Sequence, residues 1–264
     1  MASGNNIAAH PTIPADRDIL VCIFQRGAAD GLNALAPYSD ANYYLHRPTI
    51  ALPAPAPGNP NSGIYVDDDF ALHPALAPLK PIYDAGDLAL VHATGVPHQI
   101  RSHFSAQNLI ERGVVEKTGP TTGWLGRHLS LSPAASGSAF RAISISGNVP
   151  VALSGAQEPL AIDNLNDFGF DQDILDSGYP QVLADLFHAA VPFAGPANAA
   201  LAAMEELQAA GLPAITPVNG AVYPANSALG AKMLLAAQLI KSNIPVEVVC
   251  IVSDGWDHHV RLQD

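Results

Sequence analysis

The chain is nearly devoid of cysteine. Cys22 and Cys250 are the whole complement, which excludes a disulfide-stapled scaffold and any C-x-x-C redox or zinc motif. Both sit at matching places inside hydrophobic stretches, where Cys behaves as a small buried hydrophobe, so free thiols are expected. Basic residues are also scarce: 12 Lys and Arg stand against 24 Asp and Glu, a formal net charge of −12 at pH 7. General binding to nucleic acid or to an anionic membrane needs a basic face, so both are excluded. The acidic field suits a divalent cation and serves solubility equally well. No apolar run approaches the roughly 18 residues that cross a bilayer, so no membrane span is expected. The opening residues Met1-Ala-Ser-Gly-Asn-Asn6 carry no cationic segment followed by an apolar core. The expectation is therefore either a cytoplasmic protein or one whose export signal has been removed. Missing too are G-x-G-x-x-G, G-x-x-x-x-G-K-[ST] and G-x-S-x-G, so nucleotide-dependent chemistry has no support.

A chain of 264 residues suffices for one large α/β domain, or two small ones, with a substantial core, and nothing forces a second domain. Residues 1–17 are small and polar, with Pro11 and Pro14, and read as a flexible leader before a domain over 18–264. Two hydrophobic strands are each predicted to run straight into an acidic, glycine-containing turn. Asp18-Ile-Leu-Val-Cys-Ile-Phe24 leads into Gln25-Arg-Gly-Ala-Ala-Asp30-Gly-Leu-Asn33. Val246-Glu-Val-Val-Cys-Ile-Val252 leads into Ser253-Asp-Gly-Trp-Asp257-His-His259. Further strands are predicted over Asp87–Ala93 and Phe140–Ser146. Helices are predicted over His73–Gly86, with Leu76, Leu79, Ile82 and Tyr83 on one face, and over Ser102–Arg112, stopped by Gly113. Others fall around Tyr179–Ala190, Asn198–Ala210 and Ser227–Lys241, the last with Leu229, Met233, Leu234, Ala237 and Ile240 inward. The Pro-rich stretch Pro48–Pro60 reads as a surface excursion. Strands alternating with helices indicate an α/β fold with a mostly parallel sheet flanked by helices.

In such sheets the carboxyl ends of the strands converge on one crevice, so side chains distant in sequence meet there. Asp30 has two readings: a turn residue accepting backbone N–H bonds, or, with Arg26, Gly27 and Asn33 beside it, part of a binding site. Ser102, at a helix start, is either an N-cap or an oxygen poised where free N–H groups stabilise an anion, with Arg101 able to fork onto two anion oxygens. The densest signal is Asp254-Gly-Trp-Asp257-His258-His259, whose oxygen and imidazole donors suit zinc, manganese or iron; its other reading is a polar loop around Trp256.

Taken in order, Arg26-Gly-Ala-Ala-Asp30-Gly-Leu-Asn33, Leu72-His-Pro-Ala-Leu76, Arg101-Ser-His-Phe-Ser-Ala-Gln107, Gly123-Trp-Leu-Gly-Arg127 and Gly255-Trp-Asp257-His-His259 resemble the bacterial DUF1501 family. The resemblance covers nearly the whole chain from about Asp18. It implies an alkaline-phosphatase-like fold of the phosphatase and sulfatase superfamily, twin-arginine export to the periplasm, and metal-dependent hydrolysis of small phosphate or sulfate esters. By position it implies Asp30, Asp257 and His259 as ligands of a divalent metal such as zinc, and Ser102 as nucleophile. Arg101, Arg26 and Asn33 would bind the substrate anion. The family usually has Thr where this chain has His258, so His258 carries no implied role. Later Glu-Phe-Gly-Arg and Asp-His-Gly elements of the family do not occur here, so the resemblance implies a fold whose C-terminal part is missing. The alternative is a non-catalytic cell-envelope binding or assembly protein that retains the fold.

Overall fold

The computed structural model describes residues 18–132, 138–164, 177–179, 181–182, 185, 194–211, 215–242 and 244–257. The expected leader, most of the helix around Tyr179–Ala190, His258 and His259 lie outside them. The chain forms two compact units, one of the described residues through Phe24 with Ile100–Ser253, the other of Gln25–Gln99 with the residues from Asp254. In chain order the strands are β1 (Leu20–Gly27), β2 (Leu35–Ala36), β3 (Ile64–Tyr65), β4 (Ala71–Leu72), β5 (Ala142–Ile145), β6 (Leu160–Ala161) and β7 (Val248–Trp256). The described α-helices are α1 (Gly31–Ala34), α2 (Ala41–His46), α3 (Lys80–Asp84), α4 (His103–Arg112), α5 (Trp124–Leu131), α6 (Ala194–Ala210) and α7 (Ala228–Lys241).

The α/β class is observed: a parallel sheet in the order β1-β7-β5-β6 is flanked by helices. Because successive side chains of a strand point to opposite faces, each strand here supplies two cores. Ile143, Ile145, Val249 and Ile251 pack on one face with Ala203 and Leu207 of α6 and Leu235, Ala236 and Leu239 of α7. Ala142, Val248 and Cys250 pack on the other face with Leu125 and Leu129 of α5 and Leu153. Burial on both faces is why β7 is continuously apolar over Val248–Val252 and why Ser144, the one polar residue of β5, is itself fully buried, and each fully buried Leu or Ile contributes about 1.5–3 kcal/mol.

Several predicted elements shift. Strands β1 and β7 continue through Gln25–Gly27 and Asp254–Trp256, residues that their glycines had suggested were turns. The strand predicted from Phe140 begins at Ala142, after a 3-10 turn over Ala139–Arg141. No strand forms at Asp87–Ala93, which has no ladder partner among the described residues and leaves Val91 72% exposed. The innermost residues of α7 are Leu235, Ala236 and Leu239; Leu229, Met233 and Ile240 pack beside them, whereas Leu234 and Ala237 are only partly buried. In α4 the buried residues are Gln107, Leu109, Glu111 and Arg112, and Phe104 faces out at 85% exposure. The ends of α4 are as expected. Ser102 Oγ accepts from Ser105 N at 3.4 Å, and Gly113 takes a left-handed φ of 60° while Val114 N donates to Leu109 O at 3.0 Å, a glycine stop.

The Gly123-Trp-Leu-Gly-Arg127 motif is explained by packing. A Cβ on Gly123 or Gly126 would overlap the backbone carbonyls of Val151, Ala152 and Ser154, so the two glycines let α5 seat directly on that chain. Arg127 closes the contact by donating from Nη1 to Thr122 O at 2.5 Å and from Nη2 to Arg112 O at 2.7 Å. Buried Arg112 in turn donates to the carbonyls of Pro120 and Gly119, both at 2.6 Å, fixing the loop that leads into α5.

In the second unit, β2, β4 and β3 form a small antiparallel ribbon. The helix expected over His73–Gly86 divides into a 3-10 turn, Pro74–Leu79, and α3. Pro78 and Pro81 each remove an N–H that a continuous α-helix would use. His73 caps the turn by accepting from Ala75 N at its Nδ1, at 3.1 Å.

A Gly126→Ala variant tests the packing role. In a free helix the change would stabilise by about 0.5–1 kcal/mol; here it should destabilise by about 2–3 kcal/mol in urea unfolding because the added methyl meets backbone. A neutral or stabilising result would refute the close contact.

Candidate functional site

The chemistry-bearing residues of the second unit gather where β1 and β7 end. Gly27 has φ of +125°, and a Cβ built on it would lie 2.5 Å from Asp257 N and 2.7 Å from Trp256 C. Only glycine permits this approach, in conformation and in space. Ala28 N then donates to Trp256 O at 3.0 Å. The chain turns, and Asp30 becomes the N-cap of α1, its Oδ1 accepting from Leu32 N at 3.2 Å.

The other carboxylate oxygen, Oδ2, is ion-paired with Arg47 Nη2, and both side chains are largely buried, at 16% exposure for Arg47 and 18% for Asp30. Arg47 follows directly on α2, with its guanidinium carbon 5.9 Å from the centre of the Tyr43 ring. Tyr43 is fixed in turn, its hydroxyl oxygen accepting from Leu52 N at 2.8 Å. Arg47 Nε and the Tyr44 hydroxyl are buried and find no hydrogen-bond partner among the described residues. Burial pushes the Tyr44 hydroxyl pKa up, with Tyr43 and Tyr38 adding to the shift.

Beside this pair lies a cavity of about 370 Å³ lined mainly by apolar surface, with Gln25, Asp30, Asn33, His73 and Trp256 among its walls. Because His73 accepts at Nδ1, its neutral ring carries the proton on Nε2, leaving it a donor rather than a lone pair for a metal. The structure thus brings Asp30 and Asn33 to one cavity together with Trp256, the residue before Asp257. Asp257 is exposed immediately after β7. Arg26 is a half-buried residue of β1 with interactions of its own. Arg101 and Ser102 are exposed residues of the first unit, and Ser102 serves as the cap of α4. His259 lies outside the described residues.

Arg47 and His73 were missed as members of this site. Arg47 precedes a proline run and carries no motif. His73 was visible within Leu72-His-Pro-Ala-Leu76, yet nothing in that pattern marks it as a wall of a cavity.

Among the described residues, no group of three or more His, Cys, Asp and Glu side chains is arranged to hold a metal ion. Of the two expected carboxylate ligands that are described, Asp30 lines the cavity, and Asp257 directly follows Trp256 of its wall. An ionised carboxylate offers about four lone-pair sites, so Asp30 retains acceptor capacity beyond Leu32 N and Arg47, although the guanidinium already balances its charge. Two carboxylates suit a hard cation completed by oxygens of a bound ligand better than a closed zinc centre. Comparison of the whole chain with protein-family models, with curated proteins and with solved structures finds no match.

The Asp30–Arg47 pair should show a stabilising coupling of about 1–3 kcal/mol in a double-mutant cycle with Asp30→Asn and Arg47→Met, read by urea unfolding. Additive single effects would mean that the two side chains do not share a desolvated contact.

Proposed function

We propose that the crevice at the ends of β1 and β7 binds a small phosphate or sulfate ester and a divalent cation, as part of an alkaline-phosphatase-like ester hydrolase. The observation that carries this reading is the contact of Gly27 with the Trp256–Asp257 backbone. It sets two acidic strand ends side by side, the arrangement by which open α/β sheets build ligand sites. Asp30 and Asp257 would hold the cation, with His259 as the further donor that the family resemblance implies. When bound, the cation supplies charge shielding for the ester and a lowered barrier to attack. The Asn33 amide and the His73 Nε2–H are hydrogen-bond donors for ester oxygens, Arg26 is the nearest guanidinium in sequence, and the apolar wall accepts the alcohol portion of the substrate.

The second reading is a binding protein without catalysis, and two observations favour it: Arg47 already neutralises Asp30, and the Ser102 hydroxyl is engaged in capping α4.

Metal content measured by plasma mass spectrometry on chelator-free protein, with nitrophenyl phosphate and sulfate as substrates, separates the two. The hydrolase reading expects bound or titratable metal that is lost in Asp30→Ala and Asp257→Ala. It also expects hydrolysis that falls roughly a hundredfold or more with either change. Ser102→Ala tests the nucleophile role. Metal-independent ligand binding with no turnover would establish the second reading.

A further inference from the structure

We propose that Cys22 and Cys250 form a redox couple in the first unit: a hydroperoxide oxidises Cys22, and Cys250 resolves the product into a reversible cross-strand disulfide. Strands β1 and β7 are parallel neighbours, and Leu20 N donates to Glu247 O at 3.0 Å. In a parallel ladder that bond sets Leu20 beside Val248. Two residues further along both strands, Cys22 lies beside Cys250. The two-residue step keeps both side chains on the face of Leu20 and Val248, and Cys22 packs on the cluster that contains Cys250, Leu125, Leu129 and Leu153. Strand neighbours stand about 4.7–4.9 Å apart, inside the range of about 4.4–6.8 Å between Cα atoms that a disulfide accepts.

The two thiols are free and unequal. Cys250 is 4% exposed, whereas Cys22 is half-buried. The Cys250 thiol donates to the Cys22 sulfur, pulling the Cys22 pKa down to about 7 against the opposing effects of burial and of Glu111. The same bond, with burial, pushes Cys250 up. Cys22 is therefore the sulfur that ionises first, and the thiolate is the nucleophile. One accessible low-pKa sulfur beside a buried partner is the division of labour of an attacking and a resolving cysteine.

The Cys22 thiolate attacks one peroxide oxygen; the O–O bond breaks and the alkoxide or hydroxide leaves, giving a sulfenic acid. The Cys250 sulfur then attacks the Cys22 sulfur; the S–S bond forms, the S–O bond breaks, and hydroxide departs with the Cys250 proton as water. Two electrons pass from the thiols to the peroxide, and a small dithiol returns them by exchange.

The test uses the reduced full chain, treated with stoichiometric hydrogen peroxide and quenched with N-ethylmaleimide before intact-mass analysis and non-reducing peptide mapping. The expected result is a monomer lighter by two hydrogen atoms that takes up no maleimide, yields a Cys22–Cys250 linked peptide, and regains both thiols with dithiothreitol. In Cys250→Ser, Cys22 should stop at a sulfenic acid captured by dimedone. Two maleimides on the peroxide-treated wild type would overturn the proposal. So would sulfinic acid at Cys22 without a linked peptide, or linkage only between chains.

Discussion

The crevice of the second unit depends on a missing methyl group. A side chain at Gly27 would drive the end of β1 away from Trp256 and Asp257, and the Ala28 to Trp256 hydrogen bond that follows would be lost. Everything downstream is set from that point. The turn over Ala28 and Ala29 leaves Asp30 free to begin α1. The capped carboxylate gives Arg47 a fixed partner, and Arg47 holds its place against Tyr43, which is anchored on Leu52. A close backbone contact, rather than any single ion pair, therefore orders the polar residues around the cavity.

Several of the carboxylates serve local backbone needs. Asp40 caps α2 by accepting from Asn42 N at 2.8 Å. Asp67 closes the β3–β4 turn by accepting from Asp69 N and Phe70 N at 2.9 and 2.7 Å. These carboxylates supply the acceptors that the free N–H groups of a short element cannot find within it. Asp257 is exposed immediately after its strand and has interactions of its own.

The legible parts of the fold are those decided locally. Ser102 and Gly113 bracket α4, and Ser227 caps α7 by accepting from Gly230 N at 3.0 Å; caps act within four residues, so sequence carries them. The illegible parts depend on partners far away. Leu88, Leu90 and Val91 have the composition of a buried strand, but no strand among the described residues receives them. Gly27 and Gly255 read as turns, yet both lie within strands, and Gly27 meets the end of β7 closely enough that only its lack of a side chain lets the ladder continue. Asp30 and Asn33 were identifiable as candidates from their strand-end setting. Arg47 was not, because an ion pair across seventeen residues leaves no periodic trace. The glycines of Gly123-Trp-Leu-Gly-Arg127 were visible as a motif, but only the carbonyls of Val151, Ala152 and Ser154 reveal their purpose.

The pairing of β1 with β7 joins segments more than two hundred residues apart. Closing a loop of that size costs roughly 5 kcal/mol of chain entropy, which the sheet recovers only once β7 exists. At a synthesis rate of about 5–20 residues per second, β1 waits roughly 10–45 seconds for its neighbour. During that interval Ile19, Val21 and Cys22 lack the strand that carries them onto the sheet, and β1 is placed only after β7 has been made. A newly made β7 likewise presents an open edge until β1 arrives, and the same strand from a second chain could occupy it.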